Sequence, residues 1–375
     1  MKTRAAICWS ENTDWSVEEV ELSDPGPGEV LVKVAYAGLC HSDEHIRLGD
    51  LTVAEGFGPC PMVGGHEGAG VIEAIGEGVA HLKVGDHVSA SFIPACGRCP
   101  SCSSGHQNLC DRGAETMAPP QRHFPAANPD HPADAQVRAM AGLGTFADHM
   151  VVDQDSLVKV EDWYPLDAVA LVSCGVATGW GSAVNIAQVE AGDTVVVVGV
   201  GGIGINAVQG AAMAGAANVI AVDPVELKRE FAQTVGATHS AASIDEAKEL
   251  VGELSWGRMA NSVIITVGDA ISELFAPAMS MVGKGGDLTL TSLSHINQNE
   301  ISLNTFDLAM NQKQLRGNVF GGCNPRVDIP RLLRLYEQGK LKLDELITAR
   351  YSLEDLNQGY VDMHAGKNIR AVVEL

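Results

Sequence analysis

The chain has 375 residues, enough for two domains, and its 46% hydrophobic and 19% charged content suits a globular protein, as does a mean hydropathy of +0.07. A formal net charge of −22 argues against nucleic acids and anionic membranes as partners, because both repel an acidic surface. The opening MKTRAAICWS lacks the apolar core of a signal peptide, and the nine cysteines cluster as metal ligands do in a reducing compartment, which points to the cytoplasm.

From the N-terminus, apolar and polar positions alternate over 17–22 and 30–34 around the turn Asp24-Pro25-Gly26-Pro27-Gly28. That pattern predicts short antiparallel strands of a barrel-like β-domain, continued by 70–76 and by a strand after the Gly85-Asp86 turn. Between them lie GLCHSDEH (38–45) and GGHEG (64–68), predicted as glycine-flanked loops. A histidine beside a glutamate is by itself more often structural than a ligand. Cys96, Cys99, Cys102 and Cys110 are more specific: spacings of this kind bring four thiolates around one ion. A closed tetrahedral shell for a structural Zn²⁺ fits them, and an iron–sulfur cluster is the alternative. Residues 113–145, rich in Pro, Ala and His with little periodicity, read as a long loop and a candidate pocket lid. A strand over 146–152 resumes the β-domain, and 171–179 leads into a helix.

The stretch 194–223 is the most informative. An apolar β-branched run of strand length is followed by Gly199-Val200-Gly201-Gly202-Ile203-Gly204, an Ala-rich helical segment, and a second apolar run ending in Asp223. Strand, glycine turn, helix, strand and acid, in this order, predict a dinucleotide site with the pyrophosphate on free N–H groups at the helix start. A membrane span over the same charge-free residues is disfavoured by the Gly and Ala in its middle. Asp223 favours NAD, since a carboxylate accepts from ribose hydroxyls and repels a 2′-phosphate; Pro224 follows it, with no arginine to receive that phosphate. Helices over 226–235, 246–254 and 271–281 alternate with strands over 263–267 and 286–290, predicting a parallel sheet with right-handed crossovers. After 320 come helices over 329–337 and 353–365, with 346–351 between them, and a closing strand over 369–373, a tail expected to return to the first domain.

GLCHSD (38–43), GGHEGAGVI (64–72), CGRCPSCSSGHQNLC (96–110), SCGVATGWG (173–181), GVGGIG (199–204) and Asp223 together resemble the zinc-containing medium-chain alcohol dehydrogenases, in the family's order across nearly the whole chain. The resemblance implies an α/β fold in which a Rossmann doubly wound parallel sheet (177–319) is inserted in a GroES-like β-barrel catalytic domain (1–176 and 320–375). It implies two Zn²⁺ per chain and NAD as cofactors. Cys40, His66 and Cys174 would hold a catalytic zinc with one open position, a ligand set known from alcohol dehydrogenase, and Cys96, Cys99, Cys102 and Cys110 a structural one. Asp43 would orient His66, and Glu67 would stand behind the metal. Ser42 would take the alcohol proton and His45 pass it outward while hydride moves from carbon to nicotinamide.

Coenzyme contacts fall on Thr178, Gly199, Gly201, Gly202, Ile203, Gly204, Asp223, Lys228 and Arg370, the last reaching the pyrophosphate. His41 stands where many members carry an arginine against those phosphates, and Phe92 and Phe146 match substrate-pocket positions. SFIPACGRC, GLCHSDEH and NVFGGCNPR are most similar to the nicotinoprotein branch of actinobacteria, which keeps NAD(H) bound and uses N,N-dimethyl-4-nitrosoaniline as an external acceptor in vitro. The resemblance also implies a small alcohol or aldehyde substrate and a homo-dimer or homo-tetramer. Two alternatives stand beside it. One is a dehydrogenase for S-(hydroxymethyl)glutathione, whose anionic substrate would need cations such as Arg112, Arg122 or Arg138. The other is a non-catalytic binding protein on the same fold. Cys8, Cys60 and Cys323 are expected to be buried free thiols.

Overall fold

The computed structural model describes residues 1–51, 60–114 and 137–375, so most of the expected long loop at 113–145, with Arg122, lies outside the described residues. Two compact units emerge, Met1–Cys174 with Asn324–Leu375, and Gly175–Cys323.

The first unit is built on a seven-stranded sheet. Its centre is β3 (Glu29–Gly38), where Val30, Val32 and Val34 turn inward onto Ile72, Val88, Met150 and Val152. On the opposite face Leu31 packs into a second core cluster, and Lys33 beside it is exposed. Antiparallel neighbours of β3 are β5 (Gly68–Ile75), β8 (His149–Asp153) and β17 (Arg370–Glu374). The sheet continues through β6 (His87–Ala90) and β9 (Leu157–Val160) on one side and β16 (Ile347–Ser352) on the other. Pairing of Val372 with Gly38 sets the C-terminal strand beside the residues that lead to Cys40. A second, four-stranded sheet runs β2 (Ser16–Glu21), β1 (Lys2–Cys8), β4 (Met62–Val63), β7 (Arg138–Ala139).

The second unit is a six-stranded parallel sheet ordered β12 (His239–Ala241), β11 (Asn218–Val222), β10 (Thr194–Val198), β13 (Ala260–Ile265), β14 (Val282–Leu290), β15 (Gln314–Gly317). The order reverses at β10, as in doubly wound dinucleotide folds. Val195, Val196 and Val197 are wholly buried, since a central strand covered by helices on both faces cannot alternate. The Rossmann sheet and the GroES-like β-domain expected from the sequence are both present.

Three expectations for local structure are corrected. Residues 41–48 form helix α1 (His41–Leu48), not a loop; it starts from the extended Cys40 and stops at Gly49 in the left-handed conformation, whose N–H caps the His45 and Ile46 carbonyls. Helix α2 (Leu166–Ile186) begins well before 171, and its turn at Val172–Val176 is π-helical. It is the one helix among the described residues apolar and long enough to span a membrane, but 83% of its apolar window is buried within the protein. The helix expected over 271–281 is a 3₁₀ turn (Ser272–Leu274) followed by a short helix (Phe275–Ser280), with Pro277 near its start.

Candidate active site

Three elements of the first unit converge on one buried cluster. Cys40 ends the approach to α1, His66 and Glu67 sit on the turn into β5, and Cys174 lies in the π-turn of α2. Their ligand atoms all lie within 4.8 Å of one another, and all four residues are buried. The 64–68 turn is held by close packing rather than by capping. A Cβ at Gly65 (φ +88°) would stand 2.4 Å from Thr145 Oγ1, and one at Gly64 would stand 2.6 Å from the Trp15 ring. Asp43 Oδ1 accepts from Gly65 N–H at 2.8 Å, and its Oδ2 lies 3.1 Å from His66 Nδ1, which leaves Nε2 as the donor of the imidazole. Behind the cluster, Arg370 Nη2 donates to Glu67 Oε2. Gly38 makes room for this pair: a Cβ there would sit 2.1 Å from Glu67 Oε2.

The electrostatics suit a cation. The Cys174 thiol hydrogen-bonds to Cys40 and holds it well below the ordinary thiol range, helped by the charges on His66 and Arg370; Cys174 is raised in return. Two thiols sharing one proton are half-prepared for a metal, which displaces the other. Burial, with the Cys40 charge, lifts Glu67 to about 7 against the pull of Arg370. Glu67 Oε1 is buried without a hydrogen-bond partner, an acceptor lacking its cation. The Cys₂His donor set therefore fits zinc.

Around the cluster, Ser42 Oγ is 3.6 Å from Cys40 Sγ, and His45 Nδ1 is 2.7 Å from Asp50 Oδ2. Phe92 stands edge-on to the His66 ring with centroids 5.7 Å apart. His41 is exposed, its ring 6.2 Å from that of His364. Phe146 is corrected: it is wholly buried between Trp15 and Tyr360 and presents no face to a substrate.

Cys96, Cys99, Cys102 and Cys110 also meet, with sulfurs within 4.8 Å of one another. The Cys96–Cys102 and Cys99–Cys110 edges are 3.9 and 4.0 Å. A tetrahedron with Zn–S bonds of about 2.3 Å has edges of about 3.8 Å. The four sulfurs thus fit a single ion and are too close for a multi-iron cluster. Amide N–H groups of Cys99 and Cys102 point at Cys96 and Cys99 sulfurs, both at 3.4 Å, and stabilise thiolates.

In the second unit, β10 ends at Gly199 (φ +88°), and helix α3 (Gly204–Ala214) starts after the turn. A Cβ on Gly204 would meet Gly199 O at 1.9 Å, whereas one on Gly201 would meet nothing within 4 Å. Gly201, Gly202 and Ile203 thus leave an open, half-buried rim. Asp223 accepts from Val200 N–H at 3.0 Å and Val225 N–H at 2.9 Å, tying the acid to the turn. Lys228 is half-buried on helix α4 (Glu226–Thr234). The expectation of no arginine here is corrected: Arg229 Nη1 donates to the carbonyls of Asp223 (2.7 Å) and Pro224 (3.0 Å), brought back by the first turn of α4. Thr178 is 7% exposed, and its Oγ1 has no hydrogen-bond partner.

Comparison with known proteins agrees with this geometry. Residues 26–162 match the model of the alcohol dehydrogenase GroES-like domain, and 202–338 that of the zinc-binding dehydrogenase domain. The chain is 50% identical over 375 residues to an NDMA-dependent alcohol dehydrogenase of Amycolatopsis methanolica, covering 100% of this chain and 99% of that one. The chain belongs to the zinc-containing medium-chain alcohol dehydrogenases. Alcohol dehydrogenase B of Mycobacterium tuberculosis is 45% identical over 373 residues, covering 100% and 98% of the two chains. A crystal structure of an alcohol dehydrogenase zinc-binding domain protein from Burkholderia ambifaria superposes with a TM-score of 0.89 at 29% identity, covering 100% and 99%. This dehydrogenase is thus an oxidoreductase that works with zinc and a nicotinamide cofactor, and its two sulfur-rich clusters fit zinc sites.

Sequence reasoning missed several partners within this dehydrogenase. Glu67 as the mate of Arg370 and Glu44 as that of His364 carry no local signal, being 303 and 320 positions apart, whereas the Glu44–Arg47 spacing of three and the nearby Asp50 of His45 become informative only once 41–48 is known to be helical.

Proposed function

We propose that this alcohol dehydrogenase oxidises small primary alcohols to aldehydes, or the reverse, with NAD(H) retained through the cycle and reoxidised by an external acceptor. The observation that carries the chemistry is the buried Cys40–His66–Cys174 donor set, with a serine hydroxyl 3.6 Å from one of its sulfurs. Zinc held there supplies Lewis-acid polarisation of the alcohol oxygen. Cys96, Cys99, Cys102 and Cys110 hold the structural ion. Asp43 fixes the imidazole through its contact with Nδ1, and the Glu67–Arg370 pair balances charge behind the cluster.

Ser42 Oγ accepts the alcohol proton, and His45 passes it toward solvent, its Nδ1 anchored by Asp50. Phe92 walls the pocket beside His66. Gly199 to Gly204 cradle the pyrophosphate, Asp223 and Lys228 take the adenosine ribose, and Thr178 packs on the nicotinamide. His41 would serve the coenzyme phosphates in place of the arginine many members of the family carry at this position, and Arg370 contributes positive charge from its pair with Glu67. A homo-dimer or homo-tetramer in the cytoplasm completes the proposal. Similarity to the Amycolatopsis methanolica protein supports cofactor retention.

Denaturing the purified enzyme and assaying released NAD(H) tests it. Release of about one equivalent per chain supports retention, and an empty site assigns exchangeable NAD. S-(hydroxymethyl)glutathione is a poorer substrate in this reading. Arg112, one of the cations it would need, is paired with Asp153 and Asp155 at 2.8 Å.

A further inference from the structure

Two cysteines outside both metal clusters face each other. Cys60 Sγ donates to Cys8 Sγ at 3.4 Å, closer than the two thiol contacts inside the tetrathiolate cluster. Cys8 closes β1 and is wholly buried, held in the ladder opposite Met62. Cys60 is half-buried and stands outside the ladder, before β4. No His, Asp or Glu joins the two sulfurs in a ligand group among the described residues, which separates them from a metal site.

We propose that Cys8 and Cys60 form a redox-active dithiol that closes to a disulfide when the protein meets hydrogen peroxide. Closure needs the sulfurs to approach from 3.4 Å to about 2.0 Å, a shift of side-chain size. The hydrogen bond from Cys60 lowers the Cys8 thiol, with Thr13 and Arg47 adding to the effect and burial opposing it, while the Cys8 S–H donates to Ser10 O at 3.2 Å. The peroxide O–O bond breaks on the first sulfur, giving a sulfenic acid and one water. The second sulfur then displaces the hydroxyl as a second water, so two S–H bonds and one O–O bond become one S–S bond and two O–H bonds.

The link would have a local consequence. The chain just after Cys8 straps α1, with Asn12 N–H on Arg47 O at 2.7 Å and Arg47 Nη1 on Thr13 O at 3.1 Å. The disulfide therefore closes a loop that contains the helix carrying Ser42 and His45.

The test uses the zinc-loaded enzyme. It is titrated with hydrogen peroxide, blocked with N-ethylmaleimide, digested without reduction and mapped by mass spectrometry, with zinc counted in parallel. The expected result is a Cys8–Cys60 cross-linked peptide in most molecules before any zinc is lost, reversed by dithiothreitol and accompanied by a higher melting temperature. Cys323, a buried thiol donating to Ala177 O at 3.3 Å, should stay reduced as an internal control. In Cys60→Ser the link and the rise in melting temperature should both vanish. Two results would overturn the proposal: cross-links among the zinc-ligating cysteines preceding the Cys8–Cys60 link, or Cys60 advancing to sulfinic acid with Cys8 still reduced. Because the main measurement is on the unaltered protein, failure of the variant to fold leaves it decisive.

Discussion

Glu44 shows how a single side chain can tie the site's helix to the end of the chain. It is 1% exposed, yet it accepts from Arg47 Nε and Nη2, both at 2.7 Å, and from His364 Nε2 at 2.7 Å. Burial alone would raise its pKa, but the hydrogen bonds from Arg47 and His364 outweigh it and hold the carboxyl below its ordinary value. A depressed acid stabilises the fold fully above its unfolded pKa, about 4.3, and loses that contribution as pH falls through the folded value. Glu44→Ala is therefore expected to cost about 3 kcal/mol in urea unfolding at neutral pH. The gap to wild type should narrow below about pH 4. At Ser42 the prediction concerns rate alone. Ser42→Ala should lower kcat by about 10²-fold or more through loss of the proton acceptor, while metal analysis shows unchanged zinc.

At the scale of the element, the glycine turn separates two effects that usually travel together. Gly201→Ala adds a methyl where nothing lies within 4 Å, so unfolding should shift by no more than about 0.5 kcal/mol while bound NAD(H) falls. Gly204→Ala drives a Cβ to 1.9 Å from Gly199 O, so α3 must leave β10 and both the melting temperature and cofactor content should drop. A result in which Gly201→Ala keeps full cofactor content would remove the pyrophosphate from this rim. The turn and its flanking strands were legible because β10 and β11 are unbroken apolar runs closed by Gly and Asp, a pattern with few other uses.

Helix α1 was not legible, because Asp43, Glu44 and His45 are buried in it with polar partners near and far in the chain, and apolar periodicity cannot register a polar residue that goes inside. The onset of α2 was hidden for the opposite reason: a helix buried on all sides has no amphipathic stripe to find. Phe146 looked like a pocket residue by position alone, and only the packing of Trp15 and Tyr360 around it assigns it to the core.

For the molecule as a whole, Cys96, Cys99, Cys102 and Cys110 were the most readable part of the sequence, since thiolates at short spacing have few alternatives, whereas Cys40, His66 and Cys174, far apart in the chain, came only with the family resemblance. Their distant partners were the least readable, because Arg370 follows Glu67 by 303 positions. The two donor sets should also separate in experiment. Cys102→Ser should remove one zinc per chain by atomic absorption and lower the melting temperature, because the segment that carries the four thiols holds little apolar core besides its ion. Retention of both metals would show that three thiols suffice there.

The crowding around the 64–68 turn bears on how such an enzyme can change over generations. Trp15, Thr145 and Phe146 fill the space where side chains at Gly64, Gly65 and Gly68 would go, so substitutions there displace the imidazole. Phe92, in contrast, meets the same imidazole edge-on. Steric exclusion at these three glycines thus rejects any larger side chain in the histidine turn before selection on turnover has anything to act on.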